Sequence, residues 1–385
     1  MSIAASCITG TIPVARPYIG AEEEQAVVEV LRSGWVTQGP RVVEFESRFS
    51  QYIGCEHSVA VSSCTTALQL GLLVLGVGPG DEVICPSLSF IATANSIVYT
   101  GATPVFCDID PATYTIDPAR MEEAITPRTK AILLVHQIGL PAAMNEILAV
   151  AARHNLPVVE DAACAIGSEY EHTLIGAPLG ILACFSFHPR KILTTGEGGM
   201  ITTRDPEIAE RLRRLRQHSM SLSDVARHSA TKVATETYDE VGFNFRMTDM
   251  QAAVGIAQLG RLEGFLARRR YMAERYTSAL RHLPWLVVPS VPDNCRHNYQ
   301  SYMVRLLDGF AARRDAIMQH LLEKNISTRR AIMAIHRERP YRSERWDSCL
   351  PVTNLVTDSG LILPLFHQMT DAEQDYIIEM VQELR

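Results

Sequence analysis

Several classes of protein are excluded by what this 385-residue chain does not contain. No apolar run reaches the roughly 18 residues that a membrane-spanning helix needs, so no membrane contact is expected. Positive charge is not in excess: 36 Lys and Arg stand against 43 Asp and Glu, a formal charge of −7. That balance argues against nucleic acid as the main partner. The nine cysteines, at 7, 55, 64, 85, 107, 164, 184, 295 and 349, are odd in number and form no Cys-x-x-Cys pair. Neither a zinc ribbon nor a disulfide framework fits them. Residues Met1 to Ile12 lack the basic start and apolar core of a signal peptide. The expectation is a reduced, cytoplasmic protein. There is no internal repeat and no low-complexity segment.

What remains is globular: 47% of residues are hydrophobic and 21% charged. The length exceeds one ordinary core, so two domains are expected. A short mobile tail precedes Pro17. Helical spacing marks Glu22 to Arg32, stopped by Gly34, and Val42 to Tyr52, stopped by Gly54. The irregular loop Gly34-Trp35-Val36-Thr37-Gln38-Gly39-Pro40 lies between them. From His57 the pattern alternates. Strands are predicted at His57–Ser62, Glu82–Cys85, Pro104–Cys107, Lys130–Val135, Pro157–Val159, Ile181–Phe185 and Met200–Thr203. Helices fall at Thr65–Leu75, Phe90–Tyr99, Ala142–His154 and Pro206–Gln217. Apolar strands alternating with helices imply an α/β fold whose mostly parallel central sheet is covered by helices on both faces. Residues 219–240 lack periodicity and read as a loop over a site or a partner. Thr248 can cap a helix to about Leu262, and another covers about Ala267 to Leu283. A boundary there leaves a large domain of residues 1–283. A smaller C-terminal α+β domain, 284–385, holds strands at Tyr302–Leu306 and Leu361–Leu363 and helices at Arg313–Glu323 and Ala372–Leu384.

Ligands of such sheets bind beyond the carboxyl ends of the strands, which singles out Ser63 to Thr66, Phe90, Asp161 and Ser186. Ser62-Ser63-Cys64-Thr65-Thr66 joins a strand to a helix and reads either as an anion site suited to phosphate or as an ordinary N-cap. Phe90 either stacks on a planar ring or belongs to the core. Asp161 ends an apolar strand, where a catalytic acid, a metal ligand or an N-cap all fit. A metal would need His136 and His172, which stand at no recognised spacing, and none is expected. Lys191 follows the break at Pro189 and reads either as an exposed turn residue or as an amine that forms a Schiff base. A nicotinamide enzyme fits poorly, because Gly76-Val77-Gly78-Pro79-Gly80 follows a helix and precedes a strand, the reverse of the dinucleotide fingerprint. A phosphate-binding turn, a ring-stacking aromatic, an acid, a hydroxyl and a lysine together form the set that pyridoxal phosphate needs.

Five blocks carry a resemblance: Gly78-Pro79-Gly80-Asp81-Glu82-Val83, Glu160-Asp161-Ala162-Ala163, Ser186-Phe187-His188-Pro189-Arg190-Lys191, Thr194-Thr195-Gly196-Glu197-Gly198-Gly199 and Gly242-Phe243-Asn244-Phe245-Arg246-Met247-Thr248-Asp249. With these the chain resembles the DegT-type nucleotide-sugar aminotransferases, a branch of the fold-type-I pyridoxal-phosphate enzymes, from the Gly34 loop to the last helix. The resemblance implies a fold-type-I pyridoxal-phosphate transferase with Lys191 as Schiff-base lysine and Asp161 as partner of the pyridine nitrogen. Thr65, Thr66 and Ser186 would hold the phosphate, Phe90 would lie against the ring, and Cys164 would stand beside the ring oxygen. Asn244 would reach the phosphate in a neighbouring subunit, which implies a homodimer with shared active sites. Trp35, Val36, Thr37, His188 and His336 would approach the substrate. The implied reaction is a two-stage, ping-pong transamination from an amino acid, glutamate, to a nucleotide-linked keto-6-deoxy sugar, at C4 rather than C3. It would serve a surface glycan or natural product. Amination of a keto-cyclitol is the alternative within the same chemistry, and a cofactor-binding regulator or scaffold is the alternative outside catalysis.

Two departures from the family pattern stand out. Cys64 occupies the glycine position of a common Ser-Gly-Thr, which would cost about 1 kcal/mol or more if the backbone there required positive φ. Cys164 replaces the more usual Gln or His, and a thiol is the weaker hydrogen-bond donor.

Overall fold

The computed structural model describes residues 10–222, 235–346 and 348–384. The central sheet takes its first five strands, β1 (His57–Val61), β2 (Glu82–Pro86), β3 (Thr103–Cys107), β4 (Thr129–Val135) and β5 (Val158–Asp161), in chain order. A small hairpin, β6 (Glu169–Tyr170) and β7 (Thr173–Leu174), leaves the sheet before β8 (Leu182–Ser186) and β9 (Gly199–Thr203) complete it. The spatial order is β1-β9-β8-β5-β4-β2-β3. Only β9 runs against its neighbours β1 and β8, and every other pair is parallel. The near-continuous apolar strands follow from burial on both faces: Ala131 to Leu134 of β4, for example, are all fully buried. This is the mostly parallel sheet under helices that the alternating pattern predicts.

The strands and helices fall within a few residues of their predicted places, with one main exception. The sequence predicts two helices around Leu262 and Ala267, but Asp249–Leu280 is a single helix of 32 residues. It begins with a reciprocal cap, in which Thr248 Oγ1 accepts from Gln251 N–H while the Gln251 side chain accepts from Thr248 N–H. No proline interrupts it. Gly260 and Gly264 are open to solvent and weaken it by only about 1 kcal/mol each. The buried face Leu262, Phe265, Leu266 and Arg269 runs through the expected break.

A second core gathers Met272, Tyr276 and Leu280 from the end of this helix with Tyr302, Val304, Leu306, Leu361 and Leu363. Its antiparallel sheet contains Leu286–Val287, Tyr302–Leu306, Gly360–Leu363 and Arg329–Arg330. Ile12 joins it, 2% exposed, with its N–H donated to Asn325 O and its carbonyl accepting from Ser327 N–H. The expected mobile tail before Pro17 is therefore pinned from Ile12 onward, because an isoleucine there buries in the second core and pairs with Ile326 in an isolated parallel bridge. The guanidinium of Arg269, also buried, donates to the carbonyls of Tyr299, Gln300 and Leu365 and ties the long helix to this core. Of the loop expected at 219–240, residues 223–234 lie outside the described residues, and the flanking Met220 and Tyr238 pair in a short antiparallel bridge. Among the described residues no helix is long and apolar enough to cross a membrane.

Candidate active site

Asp161 ends β5 and Ser186 ends the adjacent β8, so both side chains emerge at the carboxyl rim of the sheet. The turn after β1 reaches the same rim because Gly199, the first residue of β9, pairs with both Val61 and Ser186. A Cβ on Gly199 would lie 2.6 Å from the Ser63 carbonyl and 2.8 Å from Cys64 N, so only glycine lets β9 start against that turn.

Asp161 is 5% exposed. Its Oδ1 accepts from Ala163 N–H at 3.1 Å and its Oδ2 from Thr93 Oγ1 at 3.0 Å. Thr93 in turn contacts Ser89 Oγ at 2.8 Å, so a hydroxyl chain from the helix Ala92–Val98 region fixes the carboxylate. Burial pushes the Asp161 carboxyl up, while the Ala163 amide, Lys191 and Thr93 pull against it. Of the two histidines considered for a metal, His136 bonds to Glu160 and His172 is exposed, and no group of three metal-capable side chains gathers among the described residues.

Lys191 sits on a closed turn: its N–H donates to His188 O at 2.8 Å, and Thr194 Oγ1 and Thr195 N–H both donate to Phe187 O. Its Nζ donates to Cys164 Sγ at 3.0 Å. Burial disfavours the charged amine, yet Cys164, Cys64 and Asp161 around it outweigh that, and Lys191 is raised above the ordinary lysine value. Burial pushes Cys64 itself well up, so it stays a neutral thiol, and the Cys164 contact and Asp161 carry the effect. The bland reading of Lys191 as a solvated turn residue fails, because its amine points at a thiol and a buried carboxylate.

Helix Cys64–Val74 is capped by Ser63, whose Oγ accepts from Thr66 N–H, while Thr66 Oγ1 donates to Ser63 O and accepts from Ser63 N–H. Thr66 is thus committed to the cap. The amides of Cys64 and Thr65 have no protein acceptor, and with the half-buried Thr65 and Ser186 side chains they form a cradle for an anion at a helix N-terminus. The N-cap reading holds for Ser63 and Thr66, and the Cys64 and Thr65 amides of the same turn are left open to an anion. Ser63 is extended at φ −164°, and Cys64 opens the helix without positive φ. The strain expected for replacing glycine there is absent, and the Cys64 thiol instead points inward toward Cys184 O at 3.7 Å.

The outer residues are spread more widely. Phe90 is 64% exposed, which removes the core reading and leaves its ring open at the rim. Trp35 folds back over Gly39 and donates Nε1 to Gln38 O at 3.1 Å, while Val36 and Thr37 are exposed. His188 accepts from Arg190 N–H through Nδ1, and burial lowers its pKa. His336 is 2% exposed, with Nδ1 2.7 Å from Ser87 Oγ. Asn244 is exposed and accepts from Arg246 Nε at 3.2 Å; no hydrogen bond links it to Asp161 or Lys191.

Sequence patterns missed three supporting residues. Thr93, which positions Asp161, lies within a helix with no motif around it. Asn298, fully buried, donates to the carbonyls of Cys164 and Ile166 from the far side of the predicted boundary. Asp249 ends a quoted block, yet its function shows only in space. Its carboxylate accepts from Gly39, Arg41 and Val42 N–H and caps helix Pro40–Ile53.

These groups fit pyridoxal phosphate on chemical grounds: an amine, a buried carboxylate fixed by two donors, and free amides at a helix N-terminus. The comparisons agree. The family model for DegT/DnrJ/EryC1/StrS aminotransferases matches residues 17–382. The chain is 42% identical over 378 residues to the spore coat polysaccharide biosynthesis protein SpsC of Bacillus subtilis, covering 97% of each. It is also 42% identical over 375 residues to GDP-perosamine synthase of Caulobacter vibrioides, covering 97% of this chain and 98% of that one. The solved structure of a putative sugar aminotransferase, Spr1654 of Streptococcus pneumoniae in its PLP form, superimposes with a TM-score of 0.90 at 29% identity over 97% of this chain and all of that one. The chain belongs to the DegT/DnrJ/EryC1/StrS aminotransferase family and is a pyridoxal-phosphate-dependent transaminase.

Proposed function

We propose that this aminotransferase moves an amino group from an amino acid, glutamate, to the C4 keto carbon of a nucleotide-linked 6-deoxy sugar, in the making of a surface glycan or natural product. Similarity over nearly the whole chain to SpsC and to GDP-perosamine synthase supports a nucleotide-sugar acceptor. The Thr194 to Gly199 run supports C4 over C3. The observation that carries the reading is the meeting of Lys191, Asp161 and the Cys64–Thr65 amides at one rim of the sheet.

When bound, pyridoxal phosphate supplies an electron sink that acidifies the donor's α-hydrogen. Lys191 would act as base and acid, taking that proton from the donor's α-carbon and returning it at the cofactor's C4′ carbon. Asp161 holds the ring nitrogen's proton, and the Thr93–Ser89 chain holds Asp161. The Cys64 and Thr65 amides, with the Thr65 and Ser186 side chains, would anchor the phosphate, and Thr66, expected to do the same, would instead hold that turn through the cap. Phe90 covers the ring, and Trp35, Val36, Thr37, His188 and His336 meet the sugar nucleotide. Asn244 completes the phosphate site of a second copy, which makes the enzyme a homodimer; its exposure on this chain supports that role. Every cysteine among the described residues is free, which supports a cytoplasmic setting. The core around Tyr302 and Leu361 supports a small domain at 284–385 beside a large one at 1–283, with Ile12 and the end of the long helix crossing that boundary into it.

The test is an assay of the purified protein against UDP-, GDP- and dTDP-linked keto sugars and a keto-cyclitol, with the aminated carbon assigned by NMR. Amination of a nucleotide sugar at C4 is expected. Amination at C3, turnover of the cyclitol alone, or no turnover contradicts the proposal.

A further inference from the structure

Lys191 is surrounded by sulfur. Cys164 Sγ lies 3.0 Å from Nζ, inside hydrogen-bond distance for a nitrogen and a sulfur. Cys64 also stands near the amine, with its Sγ directed at Cys184 O on the buried side. Both partners of the short contact are fixed from behind. Asn298 Nδ2 holds Cys164 O at 2.7 Å, and Lys191 N–H is held by His188 O at 2.8 Å. Of the three thiols only Cys164 is half-buried, so a small solute reaches it before the buried Cys64 and Cys184. The other cysteines that are not buried, Cys295 and Cys349, contact Asn294 Oδ1 and Arg345 O and have no amine beside them.

We propose that the Cys164–Lys191 pair is a reversible oxidation site that closes into a sulfur–nitrogen bond when the enzyme meets a hydroperoxide while the Lys191 amine is free. In the first step the Cys164 sulfur attacks the outer oxygen of ROOH. The O–O bond breaks, ROH leaves, and Cys164 becomes a sulfenic acid. In the second, the Lys191 ammonium gives one proton to solvent, the resulting amine attacks that sulfur, the S–O bond breaks, and one amine proton leaves with the hydroxyl as water. The product, Cys164–S–NH–Lys191, has lost two hydrogens relative to the reduced protein. No further oxidant is required. A thiol reductant attacks the sulfur, releases the amine, and restores Cys164 through a mixed disulfide.

The bond consumes the amine that binds the cofactor, so the oxidised chain cannot load pyridoxal phosphate. Resting on the reading of Lys191 as the cofactor's lysine, the loaded enzyme resists the same oxidant because the amine is occupied. The site would therefore register peroxide chiefly when cofactor is missing or carries the donor's amino group.

The test uses the full chain stripped of cofactor, treated with hydrogen peroxide and digested for peptide mass mapping. A cross-linked pair containing Cys164 and Lys191, lighter than the sum of its parts by about 2 Da, is expected. It should vanish with dithiothreitol, survive in Cys64→Ser, and be absent from Cys164→Ser. In Lys191→Met the chemistry should stop at a Cys164 sulfenic acid that dimedone traps. A cross-link from Cys164 to Cys64 instead, or over-oxidation of Cys164 without any cross-link, overturns the proposal. Because the readout is mass, it stands whether or not the sugar substrate has been assigned correctly.

Discussion

His136 and Glu160 form a fully buried pair directly behind Asp161, with Nε2 3.0 Å from Oε2. His136 Nδ1 accepts from Ala142 N–H at 3.1 Å, so the proton sits on Nε2 and is donated to Glu160. The second carboxylate oxygen accepts from Gly180 N–H at 2.7 Å. All polar atoms of the pair are satisfied, which is how two such groups persist buried at the carboxyl ends of β4 and β5. Replacing Glu160 by Gln keeps the shape, but the new amide must face either the Gly180 or the His136 donor. Glu160→Gln is expected to lose about 1–3 kcal/mol of stability, seen as a lower urea midpoint at unchanged slope. An unchanged midpoint would show that the pair is not structural.

Thr93 Oγ1 donates to Asp161 Oδ2, so with Asp161 in its proposed role the hydroxyl would serve the cofactor through that carboxylate. Thr93→Val keeps the volume and removes a donor to a charged group, worth about 1.5–3 kcal/mol. Affinity for pyridoxal phosphate should fall about 10- to 100-fold while the denaturation midpoint barely moves, and Thr93→Ser should recover most of the affinity. Fluorescence titration with the cofactor measures both variants. Equal loss in Val and Ser would mean that the methyl group, not the hydroxyl, matters.

Acid should destabilise the fold through two histidines, the buried His297 and the half-buried His367. Burial, reinforced by nearby arginines, lowers His297 and His367 to about 3. Unfolded, each takes up a proton near 6.5, whereas folded neither does until about 3. Between those values the unfolded chain binds more protons, so stability is fully present above about pH 6.5 and falls as pH drops below it. His297 contributes a slope of up to about 1.4 kcal/mol per pH unit. His367 stacks on Phe265, ring centroids 4.0 Å apart, with no hydrogen bond at either ring nitrogen. His367→Phe should therefore keep the stack and flatten the profile, measured as unfolding free energy from about pH 6.5 to about pH 4. A profile as steep as the parent's would remove His367 from the account.

Much of this was legible in local sequence, and the rest was not for a definable reason. The apolar runs ending at Asp161 and Ser186, and the cap at Thr248, are short-range signals, and the strands and helices followed them. The hydrogen bond from Thr93 to Asp161 spans 68 residues and that from Asn298 to Cys164 spans 134. No periodicity encodes such pairings. Ile12 looked like tail because its partner Asn325 lies at the other end of the chain. The penalty expected at Cys64 assumed a turn conformation, and the helix begins one residue too early for it.

Gly39 controls the aromatic loop. A Cβ there would stand 1.9 Å from Trp35 Nε1, while its N–H is fixed on Asp249 Oδ1 at 2.7 Å. Gly39→Ala must expel the indole. With Trp35 as a sugar-nucleotide contact, KM for that substrate should rise about 10-fold or more, some 1.4 kcal/mol, while KM for the amino donor stays put. An equal rise for both substrates would place Trp35 elsewhere.

The proposed function depends on Lys191. The most direct measurement compares wild type with Lys191→Ala, following visible absorbance on adding glutamate and turnover of the keto sugar on the same preparations. Wild type should show a cofactor band that shifts with glutamate. The variant should lack the lysine-bound band and lose at least about 10²- to 10⁴-fold in rate, the contribution of proton transfer alone. A Lys191→Ala protein that keeps the band and turns over at the wild-type rate would contradict the assignment.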